Sequence, residues 1–119
     1  MKRGTEIFSL KGLIINLEKA GRKNKAPIWK KAAFMLKKPS RQRVEINLNA
    51  ISRIASDGDV LLVPGKVLGI GEITKKVKIC AYRYSKSALT KMSKAGAQAV
   101  AIDSLIQTNP KGSKVRIII

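Results

Sequence analysis

Apolar residues recur at helical spacing early in this chain and at strand spacing later. From Thr5 to Ala20 the stripe Ile7, Leu10, Leu13, Ile14 and Leu17 predicts an amphipathic helix, with Gly21 as a left-handed stop. A second helix is expected from Pro27, favoured in a first turn, to about Leu36 or Lys38 before Pro39. Its inner face uses Ile28, Trp29, Ala32, Ala33 and Leu36, which makes Trp29 a core anchor ahead of a base-stacking surface.

Val44, Ile46 and Leu48 alternate with Glu45, Asn47 and Asn49, as in a half-buried strand. A short helix follows at Ala50 to Ala55, with Ile51 and Ile54 facing inward, and then a turn at Asp57, Gly58 and Asp59. Two carboxylates there suit an ordinary turn better than a metal site. The unbroken apolar run Val60 to Val63 predicts a strand covered on both faces. Pro64 is expected to end it, having no amide hydrogen for the next rung, and to open a loop carrying Gly65, Lys66, Gly69 and Gly71.

Lys76 to Tyr84 alternates again, and Ser85 or Ser87 can cap a helix ending at Gly96. A strand at Gln98 to Ile102, a brief helix at Ser104 to Gln107 capped by Asp103, a turn at Asn109 to Gly112 and a strand at Val115 to Ile119 complete the reading. Strand, helix, strand, helix, strand implies right-handed parallel crossovers. The expected fold is α/β: a single compact domain with two N-terminal helices packed on a strand-helix-strand layer ending in a C-terminal strand. One domain is expected over 1–119, with a basic helical part at 1–43 and an α/β core at 44–119; 45% hydrophobic residues suffice for one core.

Charge narrows the function. Lys plus Arg number 25 against 7 Asp plus Glu, a formal net charge of +18, and a polyanion is the natural partner for so much like charge. Between Lys19 and Arg43 lie 10 basic residues and no acidic one, whereas a merely solvated face mixes signs. We take Arg22, Lys23, Lys25, Lys30, Lys31, Lys37, Lys38, Arg41 and Arg43 as candidate phosphate contacts, joined by Lys66 in the glycine loop. No apolar run approaches the roughly 18 to 20 residues that span a bilayer, and no secretory signal is visible. With the lone Cys80 this favours nucleic acid over a membrane surface, in a reducing, cytoplasmic setting.

Enzymatic readings begin at a disadvantage. The chain has no histidine, the usual neutral-pH base and metal ligand, and Cys80 in an alternating strand suits a core better than a nucleophile. Nucleotide motifs also fail at the glycine loop. Val67 stands where a Walker loop needs a hydroxyl, and Thr74 where the dinucleotide fingerprint needs a third glycine. Aromatic residues are few: Trp29, Tyr82, Tyr84, Phe8 and Phe34 are the ones that could stack on bases, which favours recognition of backbone and shape.

Several stretches also resemble a known family: Val63-Pro64-Gly65-Lys66-Val67-Leu68-Gly69, Tyr82-Arg83-Tyr84-Ser85, Lys94-Ala95-Gly96 and Asn109-Pro110-Lys111-Gly112. With Ala26-Pro27-Ile28-Trp29 and Arg43-Val44-Glu45-Ile46-Asn47-Leu48, they are similar to the large-subunit ribosomal proteins called L-eighteen-e in archaea and eukaryotes, relatives of bacterial L-fifteen. The likeness covers about Ala26 to Ile117, and the short length is similar to the archaeal form. Where many members carry paired glycines, this chain has Gly96-Ala97, so a left-handed Ala97 would be strained. The resemblance implies a structural constituent of the large ribosomal subunit, not an enzyme, whose partners are large-subunit rRNA and neighbouring ribosomal proteins. It adds Lys111 to the candidate contacts and implies no cofactor, metal, membrane or small-molecule substrate. The competing readings are a basic DNA-packaging protein and an accessory subunit of an RNA-modifying enzyme.

Overall fold

Five parallel strands form the middle layer of the protein, with helices on both faces. The computed structural model describes residues 2–118, with the side chains of residues 2–9 and 40 outside the description; the expected roles of Ile7, Phe8 and Ile119 therefore lie outside the described side chains. Elements follow in the order α1 (Lys2–Asn24), α2 (Pro27–Leu36), a 3-10 turn (Ser40–Gln42), β1 (Val44–Asn47), α3 (Leu48–Ile54), β2 (Val60–Leu68), β3 (Lys78–Tyr84), α4 (Lys86–Ala95), β4 (Gln98–Ala101), α5 (Ile102–Thr108) and β5 (Val115–Ile117). The expected α/β class is what the chain adopts.

β2 is the axis of the sheet. β3 pairs along one edge of it, and β4 follows beyond β3. The other edge is shared end to end: β5 takes Val60–Leu62 and β1 takes Gly65–Leu68. Burial of both faces explains the continuous apolar run. Leu61, Val63 and Val67 join Leu48 and Ile51 of α3, Ala88 and Met92 of α4, and Ile73 and Val77 in one core. Leu62 and Cys80 point the other way, against Leu13 and Leu17 of α1, Trp29, Ala32, Ala33 and Leu36 of α2, and Ile102 and Leu105 of α5.

Several boundaries differ from expectation, each for a physical reason. Pro64 does not end β2. The strand absorbs its missing donor in a register shift between Val63 and Lys66 and continues to Leu68. At that bulge Gly65 lies against β1, and a Cβ there would run into the Val44 carbonyl. α1 runs through Gly21, where the absence of a side chain admits Lys30 and Ala26 of the next segment. It stops instead at Lys25, held left-handed at φ 51° while Ala26 N donates to Gly21 O at 3.1 Å. Leu48 starts α3 and does not extend β1, so Leu48 and Ile51 are buried and Ile54, expected inside, is 44% exposed. Asp103 lies in the first turn of α5 and does not cap it, because Ala101 holds the N-cap position.

The β2–β3 connection is a parallel crossover without a helix. Its glycines fit close quarters: Gly71 has φ +88° and faces Asn49. Lys91 Nζ donates to the carbonyls of Gly69 and Gly71 at 2.8 and 2.7 Å, and Lys75 Nζ to those of Ser52 and Ala55 at 2.7 Å each. Asp57 and Asp59 are turn residues, accepting from Lys76 N and Ser56 N respectively. Ser85 caps α4 by accepting from Ala88 N at 3.2 Å. Gly96 takes the left-handed position at φ 81°; Ala97 does not, so the departure from paired glycines carries no backbone strain.

Candidate nucleic-acid interface

The α1–α2 hairpin and the residues just after it carry most of the candidate contacts. Arg22 and Lys23 occupy the last turn of α1, where cations complement the helix dipole. Both are exposed, as are Lys25, Lys30, Lys31, Lys37 and Arg41; Lys38 is half-buried. Arg22, Lys30 and Lys37 line a groove of about 390 Å³ between the helices, together with Glu18 and Phe34. Phe34 is 65% exposed, and Lys38 Nζ stands 5.7 Å from its ring centroid.

Glu18, one residue before the unmixed basic run, pairs with Lys37 across the groove. The hydrogen bond from Lys37 holds the Glu18 carboxyl below the usual carboxylate range, with Arg22 adding to the effect. Helical packing, invisible as a run in the sequence, thus brings a carboxylate into the basic surface.

At the start of α2 a second group gathers. Trp29 Nε1 donates to Pro110 O at 2.6 Å, and Gly112 lies against Ile28, so the turn carrying exposed Lys111 is fixed beside the first turn of α2. Among the described residues, the non-glycine residues with positive φ are Lys25 and Lys114, at 51° and 61°. A left-handed lysine costs roughly 1–2 kcal/mol where glycine would be relaxed. Both strained positions therefore present a positive charge.

The second half of β2, where β1 begins beside it and β3 ends, holds the third group. Arg43 Nε donates to Leu36 O and Lys38 O at 3.2 and 3.1 Å, closing the end of α2, so this candidate contact also has a structural task. Its guanidinium carbon lies 5.9 Å from the Tyr82 ring centroid, and that of Arg83 5.3 Å. Lys66 lies in register with Arg83 on the neighbouring strand. Arg83 was not among the sequence candidates; its place on β3 opposite Lys66 depends on the bulge at Pro64, which the spacing alone does not reveal.

Other residues are occupied inside the fold. Trp29 is fully buried. The Tyr84 hydroxyl accepts from Ala81 N at 2.9 Å and faces the carbonyls of Ile79 and Val100 at 2.7 and 2.8 Å. Burial pushes its pKa up to about 12, and the same desolvation pushes the Cys80 thiol up to about 11. Lys75 and Lys91 direct their charge to backbone carbonyls.

This arrangement is rich in exposed cations, while its loop glycines Gly69, Gly71 and Gly112 pack against the protein itself, and it belongs to a chain that others resemble closely. Residues 28–100 match the family of ribosomal proteins that comprises 50S L-fifteen, 50S L-eighteen-e and 60S L-twenty-seven-A. The chain belongs to this ribosomal-protein family. It is 48% identical over 106 residues to the large ribosomal subunit protein eL18 of Methanococcus maripaludis, covering 89% of this chain and 88% of that one. It is 43% identical over 109 residues to the protein of the same name from Methanoregula boonei, covering 92% and 90%. With that of Archaeoglobus fulgidus it shares 44% over 97 residues, covering 82% and 83%. The family is one of structural ribosomal proteins, not enzymes. No helix among the described residues is long and apolar enough to cross a membrane.

Proposed function

We propose that this protein is a structural constituent of the large ribosomal subunit that binds and stabilises folded rRNA through its basic surface. The observation carrying this reading is the α1–α2 face, where Arg22, Lys23, Lys25, Lys30 and Lys31 are exposed in a family whose named relatives are large-subunit proteins. Lysines and arginines neutralise phosphates, and arginine adds bidentate contacts. With Trp29 and Tyr84 internal and the Tyr82 ring next to two guanidiniums, the described aromatic left for a base is Phe34, which favours backbone and shape over base reading. Its partners are large-subunit rRNA and neighbouring ribosomal proteins, in the cytoplasm.

Cosedimentation with large subunits through a high-salt wash tests the assignment. Binding to an rRNA fragment should weaken with a slope of several units in log affinity against log salt, at roughly 0.7 to 0.9 per neutralised phosphate. Changing Arg22, Lys23, Lys30 and Lys31 together to Gln should flatten that slope. Equal affinity for structured rRNA and duplex DNA would favour the DNA-packaging reading instead.

A further inference from the structure

Three cations, Lys66 in the second half of β2, Arg83 near the end of β3 and Arg43 just before β1, meet in one place. Arg43, Lys66 and Arg83 line a cavity of about 250 Å³ with Val44, Glu45, Gly65 and Tyr82. An adjoining cavity of about 480 Å³ shares Lys66, Tyr82 and Arg83 with it.

Chemistry in the smaller cavity is one-sided. Lys66 and Arg83 face each other in register across β2 and β3, an arrangement of like charge that destabilises a sheet. Among the described residues neither forms a side-chain hydrogen bond or ion pair, and Arg43 is hydrogen-bonded through Nε, the nitrogen nearest its stem. Glu45 is the carboxylate in the lining, and it forms no ion pair with the three cations. Asp103 lies in the larger cavity. Tyr82 carries both guanidiniums near its ring, so it is a holder of cations, and its ring is poorly placed to take a base. Three cations against one carboxylate, Glu45, in register with Lys66 on β1, leave the lining net positive, and guanidinium forks match phosphate oxygens.

We propose that Arg43, Lys66 and Arg83 form a phosphate-binding pocket, with Tyr82 positioning the two guanidiniums. This rests on the rRNA-binding reading only for what carries the phosphate: a backbone phosphate of RNA, or a free phosphate compound. The pocket is a site apart from the α1–α2 face, and gives the protein a fixed point of register on its anion where the helical face gives diffuse attraction.

Inorganic pyrophosphate is the probe, titrated into the intact protein while arginine side-chain Nε–Hε signals are followed by NMR. Saturable shifts confined to Arg43 and Arg83 are expected. Arg83→Gln should weaken binding about tenfold or more, the cost of one charge-assisted hydrogen bond. Tyr82→Phe keeps a ring face and should bind as the wild type does, whereas Tyr82→Leu should weaken binding; circular dichroism checks that each variant is folded. Shifts spread evenly over all arginines, or unchanged in Arg83→Gln, would overturn the pocket. The second arm measures an rRNA fragment. If Arg83→Gln weakens RNA and pyrophosphate alike, the pocket takes an RNA phosphate. If pyrophosphate binds in the pocket while RNA affinity ignores Arg83, the pocket stands and its carrier is a free phosphate compound. Absence of any rRNA binding by the wild type would remove the functional reading and leave the pyrophosphate result intact.

Discussion

Trp29 and Pro110, 81 positions apart, are joined by a hydrogen bond from the indole Nε1 to the prolyl carbonyl oxygen at 2.6 Å. It ties the start of α2 to the turn before β5. Trp29→Phe removes this donor and leaves space in a fully buried site, and should lower stability by about 2 kcal/mol or more. Urea unfolding followed by circular dichroism measures it. An unchanged midpoint would show that the turn is held by other contacts.

Tyr84 joins β3 to β4 by its hydroxyl, so Tyr84→Phe should cost about 1–3 kcal/mol at neutral pH by leaving the Ala81 amide and two carbonyls short of a partner. The variant also predicts a pH effect. An unfolded tyrosine loses its proton near pH 10, while the native phenol keeps it to about 12. Between those values the unfolded state binds fewer protons than the native state, so this group's contribution to stability falls as pH rises. Denaturant midpoints from pH 8 to 12 should show the gap between wild type and variant narrowing above about pH 10. A constant gap would contradict a raised pKa.

Two glycines should respond in opposite directions to alanine. Gly71 has a positive φ and lies against Asn49, so Gly71→Ala should destabilise by about 2 kcal/mol or more. Gly12 lies within α1 with nothing near the missing Cβ, so Gly12→Ala should stabilise by roughly 0.5–1 kcal/mol. Thermal unfolding of both variants decides it, with Tm falling for the first and rising by a few degrees for the second.

Arg43 separates architecture from electrostatics. Arg43→Lys keeps the charge but loses the Nε donor at the end of α2, so stability should fall by about 1 kcal/mol while the salt slope of RNA binding is retained. Replacing exposed Arg22, Lys23, Lys30 and Lys31 with Gln should do the reverse, leaving stability within roughly 0.5 kcal/mol per site and flattening the slope. Paired unfolding and binding curves test both.

Local pattern made α2, β1 and α4 legible, because apolar spacing, Pro27 and the Ser85 to Gly96 bracket act within a few residues. What escaped depends on distant partners. Pro64 stays in β2 because a bulge and Gly65 accommodate it against β1, and neither is encoded in the proline itself. Lys75 and Lys91 look like solvent-facing charge until the crossover presents carbonyls to them. Arg83 becomes part of a cluster only through register with Lys66. The fold class was therefore readable, and the basic surface partly so; what each cation touches was set by tertiary pairing.

The shared edge of β2 has a consequence for the timing of folding. Its N-terminal half is bonded to β5, so Val60–Leu62 await residues 115–117, whereas the C-terminal half finds β1 only a short distance back along the chain. Such distant parallel pairing is intrinsically slow, and during synthesis β5 is the last strand of the sheet to emerge. Until then, half an edge of the central strand is open to unwanted pairing between nascent chains. That half of the edge therefore closes after the rest of the sheet has paired, and a polyanion bound early to the basic helices would hold the unfinished sheet away from its neighbours.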